Sequence, residues 1–299
     1  TTEIYTLSLH DALPIWAFRQ GAGGHQVNSN LVPDSFYTFS IYPIVTAPRL
    51  QVDLSTGITR CNLQAPLWVS VKNVGTLPFS GELCVQLDDR LTEVLEDDQP
   101  ILPFPSEVCW TIDSLAIGED FKRKLRIGIP GVDNIGDILE LRAEVSKDTA
   151  VVADWTYFSE IRCAYDPNDK LVSPARGSEG QYALFEDTLR YTIRFQNTGN
   201  DTAFTVRLVD QLSDRWRWKT FQPVSASHEY RVNLDLKNGL LEILFENILL
   251  PDSTTNLEGS QGYFSFDILP QDELEENTII ENFADIYFDF NPQIGRAHV

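Results

Sequence analysis

Apolar and polar residues alternate with a period of two in many short segments along this chain. In the second half, such segments begin at Leu189, Phe204, Phe264 and Asn282, and turn residues separate them. Side chains in a β-strand point alternately to the two faces of a sheet, so these segments predict antiparallel strands. Each strand is expected to have one packed face and one solvated face. The solvated face of the first segment is expected to carry four polar residues, Arg190, Thr192, Arg194 and Gln196.

The first half has the same character, with alternating segments that begin at Leu67, Leu125 and Leu139. No long segment has helical periodicity. The predicted fold class is therefore all-β, with two tandem Ig-like antiparallel β-sandwiches. We place the first sandwich at residues 49–163 and the second at residues 164–292. The boundary falls between Cys163 and Leu171, because Asp166-Pro167 disfavours helix and Asn168 and Asp169 suit a turn.

Upstream of the first sandwich, residues 16–48 are expected to be the remnant of another β module. Residues 35–43 would be its last strand before a linker that Pro43 and Pro48 mark. The two ends of the chain are a separate matter. Residues 1–15 and 293–299 read in order as translated sequencing adapter, and we therefore excluded them from the fold prediction.

The two halves share a turn signature. One strand ends in Asn73-Val74-Gly75 and another in Asn197-Thr198-Gly199, and each is followed by a further strand. Asn and Gly tolerate the left-handed backbone conformation, so both turns are predicted to use that conformation for a tight reversal. The repeat suggests that the two sandwiches are related; the alternative is that such a turn is a common feature of unrelated hairpins.

The chain has four cysteines, Cys61, Cys84, Cys109 and Cys163. None forms a CxxC pair, which argues against a zinc knuckle or a thioredoxin-like motif. Cys84 and Cys109 lie in strand-like segments, whereas Cys61 and Cys163 flank the first sandwich. Among three connectivities we favour 61–163 with 84–109, which implies an oxidising compartment; four buried free thiols are the alternative.

A formal net charge of −21 changes the set of plausible partners. Nucleic-acid backbones and anionic membranes attract basic surfaces, so neither is an expected partner. No apolar segment approaches the length of a membrane span, so membrane insertion is not expected in this chain. Because the carboxylates are spread along the chain, the charge is interpreted first as a solubility feature and second as a sign of divalent cations.

Three oxygen-bearing side chains follow each other closely at the domain boundary: Asp166, Asn168 and Asp169. Ca²⁺ prefers such ligands, and Asp289 or Asn291 would be able to add to them. The spacing lacks the pattern of an EF-hand loop. An Asx-Pro turn between the domains is the simpler interpretation, and no other cofactor is expected.

Catalytic motifs are sparse, and no catalytic residue is predicted. Ser227, His228 and Glu229 are neighbours in sequence, but adjacency does not create the geometry of a triad. Residues 214–219 combine Trp216 and Trp218 with basic residues. This run is interpreted as an edge strand with a tryptophan in the core, and the alternative is a surface that stacks on a sugar or a protein partner.

Three stretches carry a resemblance to a known family: DPNDK at 166–170, YTIRFQNTG at 191–199 and IYFDFN at 286–291. In this order they resemble the β-sandwich repeat found near the C-terminus of surface proteins exported by type 9 secretion. That repeat is similar to bacterial adhesin-like repeats with an Asn-Thr-Gly turn. The resemblance covers about half the chain and implies structural, not catalytic, roles for its motif positions: Asp166, Pro167, Asn168, Asp169, Asn197, Gly199, Pro251, Asp252, Asp289 and Asn291.

Three functions follow as hypotheses for an extracellular or cell-surface protein. The first is a non-catalytic spacer whose partners are neighbouring domains of the same larger protein. The second is an adhesion module that binds a glycan or a protein. The third is an accessory domain of a secreted hydrolase.

Overall fold

The computed structural model describes residues 16–18, 41–43, 48–163, 168–174, 183–184, 187–272, 274–275, 278–289 and 295–298. These residues form twenty β-strands and two short 3₁₀ helices, Val132–Asn134 and Trp218–Thr220. The prediction of an all-β fold is confirmed. Over the same ranges, no helix has the length and apolar character needed to cross a membrane.

Upstream, β1 (Trp16–Phe18) pairs antiparallel with β2 (Ile41–Pro43). The predicted remnant strand thus includes β2, and residues 35–40 lie outside the described residues. The first sandwich follows with nine strands: β3 (Leu50–Thr56), β4 (Gln64–Asn73), β5 (Phe79–Gln86), β6 (Val94–Glu96), β7 (Gln99–Pro100), β8 (Glu107–Leu115), β9 (Asp120–Gly128), β10 (Ile138–Lys147) and β11 (Ala150–Glu160).

The second sandwich also has nine strands: β12 (Asp169–Ser173), β13 (Leu189–Gln196), β14 (Ala203–Gln211), β15 (Gln222–Ala226), β16 (Arg231–Asp235), β17 (Leu240–Leu250), β18 (Gln261–Ile268), β19 (Phe283–Phe288) and β20 (Gly295–His298). Strand β20 pairs with β19 and lies within residues 293–299, which we had excluded from the fold prediction. Hydrogen bonding divides each set into two sheets. In the first sandwich the strand orders are β3-β4-β9-β6-β7 and β11-β10-β5-β8. In the second they are β12-β13-β18-β15 and β20-β19-β14-β17-β16.

These strand orders show that the two sandwiches share one topology. Strands β12, β13, β18 and β15 occupy the places of β3, β4, β9 and β6, and β20-β19-β14-β17 occupy those of β11-β10-β5-β8. Only β7 and β16, both at sheet edges, have no counterpart. The kinship suggested by the two Asn-x-Gly turns therefore extends through the whole sandwich.

Each sandwich has its own hydrophobic core between its two sheets. In the first, alternate residues of β4, β5, β9 and β10 supply most of the core. In the second, the inward residues combine aliphatic side chains with several aromatic ones, among them Phe195, Phe245, Phe264 and Phe266. Burial of apolar surface at about 25 cal/mol per Å² is the main force that holds each pair of sheets together.

One predicted core position is wrong. Phe204 was expected to face the core with Val206 and Leu208, but its side chain is 57% exposed. The pairing of β14 with β17 shifts register between Ala203 and Thr205, where one residue of β14 stands opposite residues 247–249 of β17. The regular alternation is interrupted there, and Ala203 takes the buried position instead.

The four cysteines form the two disulfides that we favoured. Cys84 and Cys109 lie directly opposite each other on β5 and β8. Cys61 and Cys163 join the segment after β3 to the segment after β11, at a sequence separation of 102. The loop that the Cys61–Cys163 disulfide closes therefore contains nearly the whole first sandwich.

The turn after β4 depends on the Asn73 side chain. Its Oδ1 accepts a hydrogen bond from the Gly75 amide at 3.0 Å. Its Nδ2 donates to the carbonyl oxygens of Leu77 at 2.8 Å and Leu115 at 2.9 Å. One buried amide thereby holds the turn and ties it to the end of β8.

Asn197 makes the same set of bonds after β13. Its Oδ1 accepts from the Gly199 amide at 3.0 Å, and its Nδ2 donates to the carbonyls of Asp201 at 2.8 Å and Leu250 at 3.0 Å. Since Leu250 ends β17, the counterpart of β8, the two turns are equivalent in detail.

The predicted left-handed backbone in these turns is wrong. The described glycines with positive φ are Gly118, Gly136 and Gly239, and no residue of either Asn-x-Gly turn has a positive φ. The asparagine side chain replaces backbone hydrogen bonds in an Asx-type turn, so the reversal needs no left-handed residue.

We expect Asn73→Ala and Asn197→Ala each to destabilise the protein by about 2–3 kcal/mol, because one buried carbonyl, one partly buried carbonyl and one amide lose their partner. Urea unfolding followed by tryptophan fluorescence measures the change. Asn238→Ala, in the exposed turn between β16 and β17, is the matched control and is expected to cost less than about 0.5 kcal/mol. Equal effects at all three positions would contradict this account.

Candidate functional site

Strand β13 is buried on both faces. Its apolar residues point into the core of the second sandwich, and its polar residues point in the opposite direction. The expectation that this polar face is solvated is wrong, because Arg190 is 7% exposed and Arg194 is 4% exposed. The first sandwich covers this face.

The guanidinium group of Arg194 connects the two sandwiches. Its Nε donates to Asp169 Oδ1 at 2.6 Å and its Nη2 donates to Asp169 Oδ2, so the pair is bidentate. Asp169 lies directly opposite Arg194 on β12. The Nη1 atom reaches into the first sandwich and donates to four oxygens there: Gly57 O at 2.9 Å, Ser159 Oγ at 3.2 Å, and Thr56 Oγ1 and Tyr157 OH at 3.3 Å each.

Arg190, which lies four residues before Arg194 on β13, makes a similar set of contacts. Its Nε and Nη2 donate to the two carboxylate oxygens of Asp267 at 2.7 and 2.9 Å. Its Nη1 donates to Val52 O at 2.8 Å and to Asp53 Oδ1 at 3.2 Å. The guanidinium carbon also lies 3.7 Å from the ring centroid of Trp155, within cation–π range. We call Arg190, Arg194, Asp53, Asp169 and Asp267 the arginine interface.

These contacts lie at the edge of a sheet, and this position explains how they stabilise the fold. Strand β3 is an edge strand, and the carbonyls of Val52 and of Gly57, the residue after β3, accept from the two arginines. An edge strand presents unpaired backbone groups, and buried unpaired groups are costly. The arginines thus supply a partner for one carbonyl of β3 and for the carbonyl that follows the strand, and they fix the second sandwich against this edge.

The charges of the arginine interface are not balanced, because three carboxylates face two guanidinium groups. Asp53 is 1% exposed and has the weakest pairing of the three. Burial raises the pKa of the Asp53 carboxyl above its usual range, and the charge of Arg190 opposes that shift. The interface therefore holds Asp53 in place at an electrostatic cost.

Neutral contacts extend the interface across the outer face of β4. Ser70 Oγ donates to Ser225 Oγ at 3.0 Å, and Ser225 is 2.8 Å from the hydroxyl of Tyr263. The rings of Trp68 and Tyr263 are 5.0 Å apart. At the rim, Glu258 pairs with Lys124 and Arg126 of the first sandwich.

Close approach of the Gln261 side chain to the first sandwich requires a glycine at position 57. The amide of Ile58 donates to Gln261 Oε1 at 2.7 Å. A Cβ atom at Gly57 would lie 2.3 Å from that same oxygen and 2.7 Å from the Pro66 ring. Any side chain at position 57 would therefore displace Gln261 from the interface.

The residue after Asp169 has a different role. Lys170 points into the core of the second sandwich, where its ammonium group pairs with Asp210 of β14, and both side chains are fully buried. The ammonium also lies 4.8 Å from the Tyr191 ring centroid. Burial lowers the pKa of Lys170 and raises the pKa of Asp210, and the ion pair opposes both shifts. This pair joins the two sheets of the second sandwich across its core.

The predicted Ca²⁺ ligands are engaged in other interactions wherever the structure describes them. Both carboxylate oxygens of Asp169 accept from Arg194, and Asn168 Oδ1 accepts from the Gln196 amide at 3.2 Å. Asp289 Oδ1 accepts from the amides of Phe204 and Thr205 at 2.8 Å each. Asp166 and Asn291 lie outside the described residues. Calcium binding stays a prediction, and these bonds would have to break for Asn168 and Asp169 to take part.

The remaining sequence candidates also lie in structural positions. Ser227 Oγ is 2.8 Å from His228 Nδ1 and accepts from the Tyr263 amide at 3.0 Å. Burial lowers the pKa of His228, and the charge of Lys124 adds to the shift. Trp216 is 1% exposed, and Trp218 Nε1 donates to Ser213 O at 2.8 Å. A tryptophan in the core is correct, but the predicted edge strand is wrong, since this run forms turns and a 3₁₀ helix.

Sequence reasoning missed the arginine interface. The available signal was the presence of aromatic residues at positions that alternate out of the core, Trp68 in β4 and Tyr263 in β18. Large aromatic side chains on a face assigned to solvent indicate that another surface covers that face.

A known family model matches the second half of the chain. Residues 166–297 match a family model described as "Domain of unknown function (DUF7619)". No curated protein sequence matches the chain. The match covers the segment that carries the sequence resemblance described above.

Similar solved structures include bacterial and archaeal β domains. The CARDB domain of a Pyrococcus furiosus protein, in complex with di-metal ions, is 19% identical over 38% of this chain and 88% of its own, with a TM-score of 0.28. The Enterococcus faecalis MSCRAMM ACE, described as binding its ligands by the collagen Hug model, is 12% identical over 83% of this chain and 92% of its own, with a TM-score of 0.29. The Corynebacterium diphtheriae major pilin SpaD is 14% identical over 74% and 59%, with a TM-score of 0.31. The fold class rests on the strand pairing above and not on these similarities.

We expect Arg194→Ala to destabilise the protein by about 3–5 kcal/mol, because Asp169 is left buried without a counter-charge. Arg194→Lys is expected to restore little, since lysine cannot make the bidentate pair and the contacts to β3 together. Urea unfolding measures both changes.

Arg207→Ala is the matched control for this series. Arg207 lies on the solvent side of β14 and contacts Glu242 and the Tyr287 ring. Its loss is expected to cost less than about 1 kcal/mol. An Arg194→Ala effect as small as that of Arg207→Ala would show that the arginine interface does not stabilise the fold.

Proposed function

We propose that this chain is a non-catalytic spacer of an exported cell-surface protein. It would hold neighbouring domains of that protein at a fixed separation and orientation. The observation that carries the proposal is the arginine interface, because Arg190 and Arg194 of the second sandwich make buried hydrogen bonds to the first, and Arg190 also pairs with Asp53. Contacts between flexibly linked domains are generally smaller and more exposed.

Other features support an exported location. Two disulfides suit an oxidising environment outside the cytosol. A net charge of −21 favours solubility at an exposed surface. The resemblance of residues 166–291 to modules of type 9 secretion substrates supports the same placement and suggests that export route.

Adhesion to a glycan or a protein is the alternative function. Residues 214–219 suggested adhesion, but their tryptophans are not placed to stack on a ligand. Trp216 is buried, and Trp218 packs beside Gly239. The loops at the ends of the sandwiches are then the surfaces on which adhesion would depend. An accessory role beside a secreted hydrolase is compatible with the spacer function.

A rigid spacer predicts one narrow distance between the two sandwiches. Single-molecule fluorescence transfer between non-cysteine labels at Asp113 and Lys237, both exposed, measures it. The unmodified chain and Arg207→Ala are expected to give one narrow population, and Arg190→Ala with Arg194→Ala a broader one. A broad distribution in the unmodified chain would overturn the spacer proposal, and saturable binding on a glycan array would favour adhesion.

A further inference from the structure

The Cys61–Cys163 disulfide lies where the first and last strands of the first sandwich meet. The Cys61 amide donates to Arg162 O at 2.9 Å, and the Arg162 amide donates to Thr59 O at 3.0 Å. Arg60 and Arg162 form a parallel bridge. The end of the first strand segment and the end of the last one therefore run side by side in the same direction, and the disulfide joins them covalently.

This arrangement determines how tension along the chain would pass through the first sandwich. Tension applied to the chain before β3 is transmitted along Leu50–Thr56 to Cys61. It then crosses the disulfide to Cys163 and continues toward β12. Residues 62–162 lie inside the covalent loop and carry no tension along their backbone.

We propose that the first sandwich is a tension-bypass module, in which β3 and the Cys61–Cys163 disulfide form a covalent strap. This inference rests on the proposed spacer function, because a surface spacer is loaded at both ends when the cell or its partner moves. Strand β3 is already extended, so the strap has little slack to release. The sandwich keeps its fold under loads that would otherwise unravel it.

The arginine interface strengthens the same strap. Arg190 and Arg194 donate to Val52 O and Gly57 O, which belong to the loaded segment. Load on β3 is therefore shared between the disulfide and the side chains of β13. Among the described residues of the second sandwich there is no disulfide, so that sandwich is the part that lengthens under force.

The two disulfides are nested, and this gives a sharp test by single-molecule force spectroscopy on the full chain held at its two termini. The outer loop spans 102 positions, and Cys84–Cys109 closes 25 of them. In the unmodified chain, unfolding is expected to release the second sandwich and to leave the first at its folded length. In Cys61→Ser/Cys163→Ser, the total contour length is expected to increase by roughly 27 nm, at about 3.5 Å per extended residue.

Cys84→Ser/Cys109→Ser is the matched control, since its disulfide lies inside the loop that the strap protects. It is expected to give the same contour length as the unmodified chain. Removal of both disulfides is expected to add roughly 36 nm, at about 3.5 Å per extended residue. Total length decides the result, so a variant that fails to fold still reports on the strap.

An unmodified chain that already releases the length of the first sandwich would overturn the proposal, as would added length in the Cys84→Ser/Cys109→Ser control. Failure of the spacer proposal has a different signature. A broad distance distribution between the sandwiches in fluorescence would remove the rigid spacer, yet it would leave this pattern of contour lengths unchanged.

Discussion

The bidentate pair between Arg194 and Asp169 is the interaction on which the arrangement of this chain most depends. It forms between β12 and β13, so it belongs to the second sandwich. The Nη1 atom of Arg194, however, donates to the Gly57 carbonyl of the first sandwich. A guanidinium group has five donors, which allows it to satisfy a carboxylate and a neighbouring backbone at once. Local strand pairing and the junction of the domains thus depend on the same side chain.

The junction also explains why two similar sandwiches have different surfaces. In the second, β13 and β18 are buried on both faces, one against their own core and one against the first sandwich. In the first, β3 and β4 present serine, tryptophan and aspartate residues to that junction. Polar groups on the surface of each sandwich form hydrogen bonds with groups of the other.

Much of the architecture could be predicted from alternation alone, since period-two patterns directly reflect strands with one apolar face. The equivalence of Asn73 and Asn197 also had a visible signature, although its mechanism differed from the one expected. The arginine interface could not be derived in this way. A polar strand face has the same pattern whether water or another domain covers it, and only tertiary contacts distinguish the two cases.

The central claim is that the arginine interface makes the two sandwiches a single cooperative unit. Differential scanning calorimetry of the full chain tests this claim most directly, through the ratio of the calorimetric to the van't Hoff enthalpy of unfolding. One transition with a ratio near one is the result that the account predicts. Two separable transitions, each with its own midpoint, would contradict it, because the sandwiches would then unfold independently of the interface.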